Sequence, residues 1–393
     1  MLPDADLLIL GGGCAGLSLA MRLAALGSRC PRTVVLENRR RYVNDRTWCF
    51  WGDEAPQLRH LALHQWSAVT VKNAGRSVRI DCSGAPYQML AAEHFYKEAL
   101  AAIAPAGQIS LLLGVPVVAE VQWRAGRWQV ETAAGRISAA RVVDTRPLQT
   151  PARGGALLWQ SFYGHEIECE DAIFDPECAS LMDFLPVTRN RIAFVYVLPV
   201  SRHRALVEVT VFGIEPLQAL ELAAELDAEV AQRVNGAAFT VLRSEHGILP
   251  MGSFLPASPS RNKSYVRVGL TAGGARPATG YAFQRIQRWA TACASAIAKG
   301  GLPIPHLADP LLLQQMDRLF LKVIRQEPAM APLLFMSLFE RVDAQRVIRF
   351  LSDRGSLADY AAIVFALPSK PFLSQLFELL TPAALRHEAG KRT

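Results

Sequence analysis

Residues 204–213, RALVEVTVFG, alternate with a period of two. Ala205, Val207, Val209 and Val211 share one face, and Leu206, Glu208, Thr210 and Phe212 share the other. The spacing predicts a β-strand whose aliphatic face lies in a core. A single carboxylate stands on the second face among apolar neighbours, and that face meets either water or a cavity. The two environments give Glu208 opposite meanings.

A different pattern opens the chain. The run DLLIL leads into Gly11, Gly13 and Gly16 in G-x-G-x-x-G spacing, followed by a helix-like segment to about residue 27. Glycines at that spacing permit a tight turn, close approach of a pyrophosphate, and close helix–strand packing, with the helix start facing the phosphates. Cys14 and Ala15 sit inside this loop. A second apolar run, TVVLEN, ends in Glu37, where an acid hydrogen-bonds ribose hydroxyls and favours FAD or NAD over NADP. Arg39, Arg40 and Arg41 can reach a phosphate or stand as a solvated basic run.

Residues 117–144 alternate apolar and polar positions with turn signals at Ala125-Gly126 and Ala134-Gly135, predicting three short antiparallel strands. A meander inserted in a parallel nucleotide fold resembles the FAD-binding flavoproteins, and makes Asp144, Thr145 and Arg146, at the end of the returning strand, neighbours of the cofactor. A second glycine-rich loop, VRVGLTAGGARPATGYAF, brings Gly273, Gly274, Thr279 and Gly280 toward the same cofactor through backbone N–H groups. After about residue 305 the apolar positions recur at mixed three and four spacing, predicting amphipathic helices. Pro368 and Pro371 break the last of them, which argues against a membrane span.

Composition narrows the class. The 393 residues are 51% hydrophobic and 20% charged, enough for more than one core. The net charge of +7 suits an anionic surface such as phospholipid, but no long basic block or basic-aromatic array points to nucleic acid. Seven scattered cysteines form no CxxC or Cys/His metal spacing, so no metal site is expected and a reducing cytosol fits best. The four-residue LLIL reads as neither signal peptide nor span.

Several ordered motifs then resemble one family, the lycopene cyclases: NDRTWCFW at 44–51, FDPECASLMDF at 174–184, VYVLPVSRHRALVEVTVF at 195–212, EHGILPMG at 245–252 and GLTAGGARPATGYAF at 269–283. The family's acidic strand motif is Glu-x-Thr, often with a second acid between; here it is Glu208-Val209-Thr210, and the second acid is absent. The resemblance implies that Glu208 is the catalytic carboxylate and that Asp183, in Met182-Asp183, is a further structural or charge-stabilising acid. It implies redox-neutral closure of the linear end groups of lycopene to β-ionone rings, giving γ- and β-carotene. The cofactor would be reduced FAD, with NADPH as external reductant. Trp48, Trp51, Phe194, Tyr196, Phe212 and Tyr281 are expected to line the substrate, and the helical end to meet the membrane surface, on the cytoplasmic side.

The expected architecture is an α/β Rossmann-type FAD-binding fold with an inserted antiparallel meander, a sheet-rich substrate domain and a helical C-terminal region. The FAD-binding domain is expected from 1–75, 105–150 and 245–300, with 76–104 as a connecting helical segment, 151–244 as the substrate domain and 301–393 as the helical region. A flavin-dependent monooxygenase or prenyl-chain reductase shares this fold, and a non-catalytic flavin or carotenoid carrier is a third reading.

Overall fold

A computed structural model describes residues 4–52, 56–147, 156–188, 191–252 and 262–380. Elements are numbered in chain order, and the chain divides into two compact units.

The first unit takes residues 1–65, 88–155 and 254–308. Strand β1 (Ala5–Leu10) is fully buried but for Asp6 and leads into helix α1 (Cys14–Ala24). Around β1 lie β2 (Thr33–Glu37), β8 (Ile109–Leu113), β11 (Gly135–Asp144) and the short β17 (Tyr265–Arg267), all parallel. The meander β9 (Gln122–Arg124), β10 (Arg127–Thr132) and β11 pairs antiparallel. Its turns fall at Ala125-Gly126, both with positive φ, and Gly135 (φ 115°). The sheet order is β8-β2-β1-β11-β10-β9, with β17 on β11. Helices α1, α2 (Ala92–Ile103) and α4 (Phe283–Ala298) cover one face, where Leu7, Ile9, Leu17, Phe95 and Ile286 share a core. A separate small sheet has the order β3 (Thr47–Trp51), β7 (Tyr87–Ala91), β4 (His64–Trp66).

The second unit takes residues 66–87, 156–253 and 309–393. Its seven strands run β16-β12-β15-β14-β13-β5-β6. They are β5 (Ala68–Asn73), β6 (Arg76–Asp81), β12 (Leu158–Cys169), β13 (Cys178–Phe184), β14 (Arg191–Pro199), β15 (Arg204–Gly213) and β16 (Phe239–Met251). All pairs are antiparallel except β13 with β5. Helix α3 (Ala219–Val234) lays Leu222, Leu226, Val230 and Val234 against Val195, Val207, Val209 and Val211, the aliphatic face that the alternation of β15 predicts. Helices α5 (Leu311–Gln326), α6 (Ala331–Arg341), α7 (Ala344–Leu351), α8 (Leu357–Ala366) and α9 (Ser369–Leu380) follow, with Phe335 of α6 packed on Phe184 of β13.

Two expected boundaries differ from this arrangement, each for a local reason. Residues 76–104 begin as strands: Ala74 (φ 46°) and Gly75 (φ 80°) make a turn that folds β6 back on β5, and only α2 is helical. Likewise 245 does not open a nucleotide segment, because β16 is one strand from Phe239 to Met251, paired with β12 with a single register shift opposite Glu166 and Ile167.

The β1–α1 turn depends on two glycines. Gly11 has φ 97°, and a Cβ on Gly16 would collide with the Gly11 carbonyl oxygen and lie 3.1 Å from its carbon. Backbone cannot yield as a side chain can. Gly16→Ala is expected to cost about 1–3 kcal/mol or more of stability; an unchanged urea midpoint would refute this packing.

Candidate functional site

In the first unit the loop after β1 offers backbone N–H groups at the start of α1, whose N-cap, Gly13, provides no side-chain cap. A Cβ on Gly13 would meet nothing within 4 Å, so the helix start opens onto free space. That suits a pyrophosphate, drawn by unpaired N–H groups and the helix dipole. Cys14 and Ala15 enter the site as the first residues of that helix. The Cys14 thiol is pushed up to about 12 by burial, so it stays neutral. Glu37 ends β2 beneath the loop: one oxygen accepts the Gly12 N–H at 2.7 Å, the other the Arg39 N–H at 2.8 Å. Arg39 also pairs with Asp45 at 3.1 Å and lies over the rings of Tyr42 and Tyr96, so it is a brace for Glu37 and not a solvated cation. Although burial opposes charge on Glu37, these donors hold its carboxyl below the usual range.

The second glycine loop reaches the first through Thr145. Its hydroxyl lies within hydrogen-bond reach of the carbonyls of Leu10 (3.0 Å) and Gly11 (2.9 Å), and a Cβ on Gly269 would lie 3.3 Å from the Thr145 carbonyl oxygen. Gly269, Gly273 and Gly280 all have positive φ, and Gly274 donates to the Gly269 carbonyl. Thr279 accepts the Tyr281 N–H at 3.3 Å, and Tyr281 closes the turn by accepting from Arg276 N. His306 was not marked by any spacing in the sequence, yet its Nε2 accepts the Gly269 N–H at 3.2 Å. Burial, reinforced by Arg285, lowers its pKa to about 3, which keeps the ring a neutral acceptor.

Asp144 is fully buried beside these loops. It is held by Arg146 at 2.8 Å and the Tyr265 hydroxyl at 2.6 Å, with Arg267 at 3.7 Å. It therefore locks the end of β11 to β17, and Arg146 is spent largely on that lock. Trp48 packs with Phe95, Tyr96 and Phe283, while Trp51 is 1% exposed and its carbonyl accepts from Gln284 at 2.6 Å.

In the second unit the even-numbered face of β15 is buried: Leu206 is 2%, Glu208 9%, Thr210 0% and Phe212 5% exposed. Register places Tyr196 of β14 and Gly164 of β12 on either side of Glu208, and Phe194 beside Thr210. Phe194 packs against Tyr196, Phe212 and Phe184, so the expected aromatics Phe194, Tyr196 and Phe212 are brought together here. The Thr210 hydroxyl donates to Glu208 Oε1 at 3.0 Å. Burial first, and the charge of Glu245 second, push the Glu208 carboxyl well above the ordinary carboxylate range. Gln160 adds a buried amide oxygen to this face with no hydrogen-bond partner among the described residues.

Asp183 stands elsewhere. It pairs in register with Val195, on the α3 face, and its carboxylate meets Arg233 of α3 at 2.9 Å. The sheet thus turns it away from Glu208 and makes it a tie between β13 and α3. Glu245 of β16 stands on the Glu208 face instead, across Gly164 of β12. No group of His, Cys, Asp and Glu among the described residues is arranged to hold a metal ion.

A family profile described as lycopene cyclase protein matches residues 6–377. The chain is 24% identical to a lycopene beta-cyclase of Pantoea ananas over 97% of this chain and 99% of that one. It is 30% identical to the chloroplastic lycopene beta cyclase of Solanum lycopersicum over 35% of this chain and 29% of that one. Among solved structures it is similar to a geranylgeranyl bacteriochlorophyll reductase-like protein of Thermoplasma acidophilum, with TM-score 0.62, 15% identity, and coverage of 96% and 99%. It is also similar to the p-nitrophenol 4-monooxygenase of Pseudomonas putida, with TM-score 0.59, 16% identity, and coverage of 95% and 99%. These neighbours share the Rossmann-type flavoprotein fold. A match over nearly the whole length places this chain in the lycopene cyclase family.

Proposed function

We infer that this chain is a lycopene β-cyclase, closing linear end groups of lycopene to β-ionone rings without net oxidation. The observation that carries the reading is Glu208: a carboxyl buried on an aromatic sheet face, where desolvation favours the protonated form. Cyclisation requires a proton delivered to one carbon–carbon double bond, attack by a second on the cation formed, and loss of a different proton. In this reading Thr210 fixes one oxygen of Glu208 and leaves the other to carry the proton. The faces of Phe194, Tyr196 and Phe212 and the amide oxygen of Gln160 offer electron density to a cation without a nucleophile charged enough to trap it.

FAD fits the first unit, with Gly11, Gly13, Gly16 and the α1 N-terminus for its pyrophosphate, Glu37 for its ribose, and the loop of Gly273, Gly274, Thr279 and Gly280 for its ring system. When bound and reduced, by NADPH or another donor, it would supply a negative, polarisable plane of the kind that stabilises a cation. The fold is shared with oxidoreductases, so a monooxygenase or prenyl reductase is the competing reading. Anaerobic incubation with reductant, FAD and lycopene is expected to yield a cyclised isomer of unchanged mass, and Glu208→Gln to lower its turnover by roughly 10²–10⁴-fold. A product heavier by hydrogen in that incubation, or one heavier by oxygen when air is admitted, would instead identify the redox enzyme.

Burial of a neutral acid also shapes stability. The folded-state pKa of Glu208 lies above its unfolded value, so its contribution is fully present below the unfolded pKa and is lost as pH rises toward the folded one. Chemical unfolding of wild type and Glu208→Gln is expected to diverge above about pH 5, with wild type falling relative to the variant. Parallel curves would mean that Glu208 ionises normally.

A polyene substrate is held in lipid, and we assign its source to a membrane surface. No described helix is long and apolar enough to cross a membrane. Leu357, Val364 and Phe365 of α8, however, are 75%, 56% and 86% exposed, and Arg346 and Arg349 of the neighbouring α7, both paired with Asp359 of α8, leave a net positive charge beside them. Apolar side chains flanked by cations suit an anionic bilayer interface. Wild type should float with vesicles containing anionic phospholipid, and Val364→Ser with Phe365→Ser should float at least several-fold less; equal flotation would remove α8 from the contact.

A further inference from the structure

The strand motif of this chain has valine where a second acid often stands, yet the sheet supplies another carboxylate beside Glu208. Gly164 of β12 is in register with Glu208 on one side and with Glu245 of β16 on the other. Paired residues project to the same face, so the two acids flank a position without a side chain. A Cβ on Gly164 would lie 2.9 Å from the Cβ of Glu208. Glycine here keeps open the gap between the two carboxyl groups.

Behind Glu245 runs a chain of charge. Arg243 pairs with Glu245 at 2.5 Å and with Glu166, and Arg204 pairs with Glu166 at 2.5 Å. Glu166 and Glu245 are 1% and 4% exposed, and Arg243 is 12% exposed. Two guanidinium and two carboxylate groups sum to zero. Another ionised carboxylate would leave a buried negative charge in excess, which is costly in a medium of low dielectric. The ionisable groups facing Glu208 from its neighbouring strands are Tyr196 on β14, Glu166 on β12, and Arg243 and Glu245 on β16. Valine at 209 points into the core against α3, so an acid inserted there could not serve this face.

We propose that Glu245 is a positioning residue for the reaction: standing across Gly164 from Glu208 and paired with Arg243, it is the second member of a carboxyl pair that governs how tightly Glu208 holds its proton. The role in turnover rests on the cyclase reading, but the pair itself does not. By this assignment the second acid comes from β16, from a different part of the chain than the strand motif.

The test reads the proton directly. Infrared spectra of the purified full chain, taken across a pH series, should contain a protonated-carboxyl band that is lost in Glu208→Gln. In Glu245→Gln the midpoint of that band should move down by about one pH unit or more, the size expected of strongly coupled sites, while Glu245→Asp should restore it toward wild type. An unmoved midpoint in a folded Glu245→Gln protein overturns the pair. Should that variant fail to fold, Glu208→Gln carries the same test, because coupling is mutual. Isotope-edited glutamate spectra should then show Glu245 titrating in a single step in place of two linked ones, and an unchanged Glu245 titration overturns the proposal. Turnover separates the two readings. If the band shifts and the alkaline limb of lycopene cyclisation shifts with it, both stand; if the band shifts and that limb does not, the pair stands and Glu208 is not the acid.

Discussion

A carboxyl group removed from water in the middle of a β-sheet has to be matched by a cation or keep its proton, and the second unit is organised around that constraint. The cations nearest Glu208 are already committed. Arg243 is divided between Glu166 and Glu245, and Arg204 is taken by Glu166. What remains for Glu208 is one hydroxyl, from Thr210, and a surrounding of Leu206, Phe194 and Phe212. The apolar face and the charge of Glu245 act in the same direction.

Glycine solves the same geometric problem in both units, and for different ends. At Gly16 the missing side chain lets helix α1 approach the β1 turn, which aims free N–H groups at the space over Gly13. At Gly164 it leaves room between carboxyl groups, and at Gly247 a Cβ would collide with the ring of Phe162. In the first case backbone comes close so that a ligand can be held. In the second, side chains from neighbouring strands lean over bare backbone, so that a polar group and an aromatic ring share one face.

Local patterns in the sequence were legible because they have local causes. Alternation along β15, the glycine turns of the meander and the acid ending β2 each follow from a few adjacent residues. The charge network could not be seen in that way, since Glu166, Arg204, Arg243 and Glu245 come from three strands and meet only through register. The same holds for His306, which braces a loop more than thirty residues before it. Boundaries differ where a turn or a long strand crosses them: Ala74-Gly75 is a hairpin turn, and the strand through 245 continues from 239.

Asp183 shows the limit most sharply. Its motif places it one residue from Met182 and makes it a plausible companion for Glu208, but faces of a sheet are decided by parity and by bulges. A register shift between Ser180 and Asp183 sets Asp183 opposite Val195, on the α3 side, where Arg233 waits for it. Glu245 lies in a motif too, but nothing in EHGILPMG says that its glutamate will stand across a glycine from another acid. Which acid is partner and which is brace is therefore a property of strand pairing. A substitution that shifted β13 or β16 by one residue would exchange the faces of their acids without altering either motif.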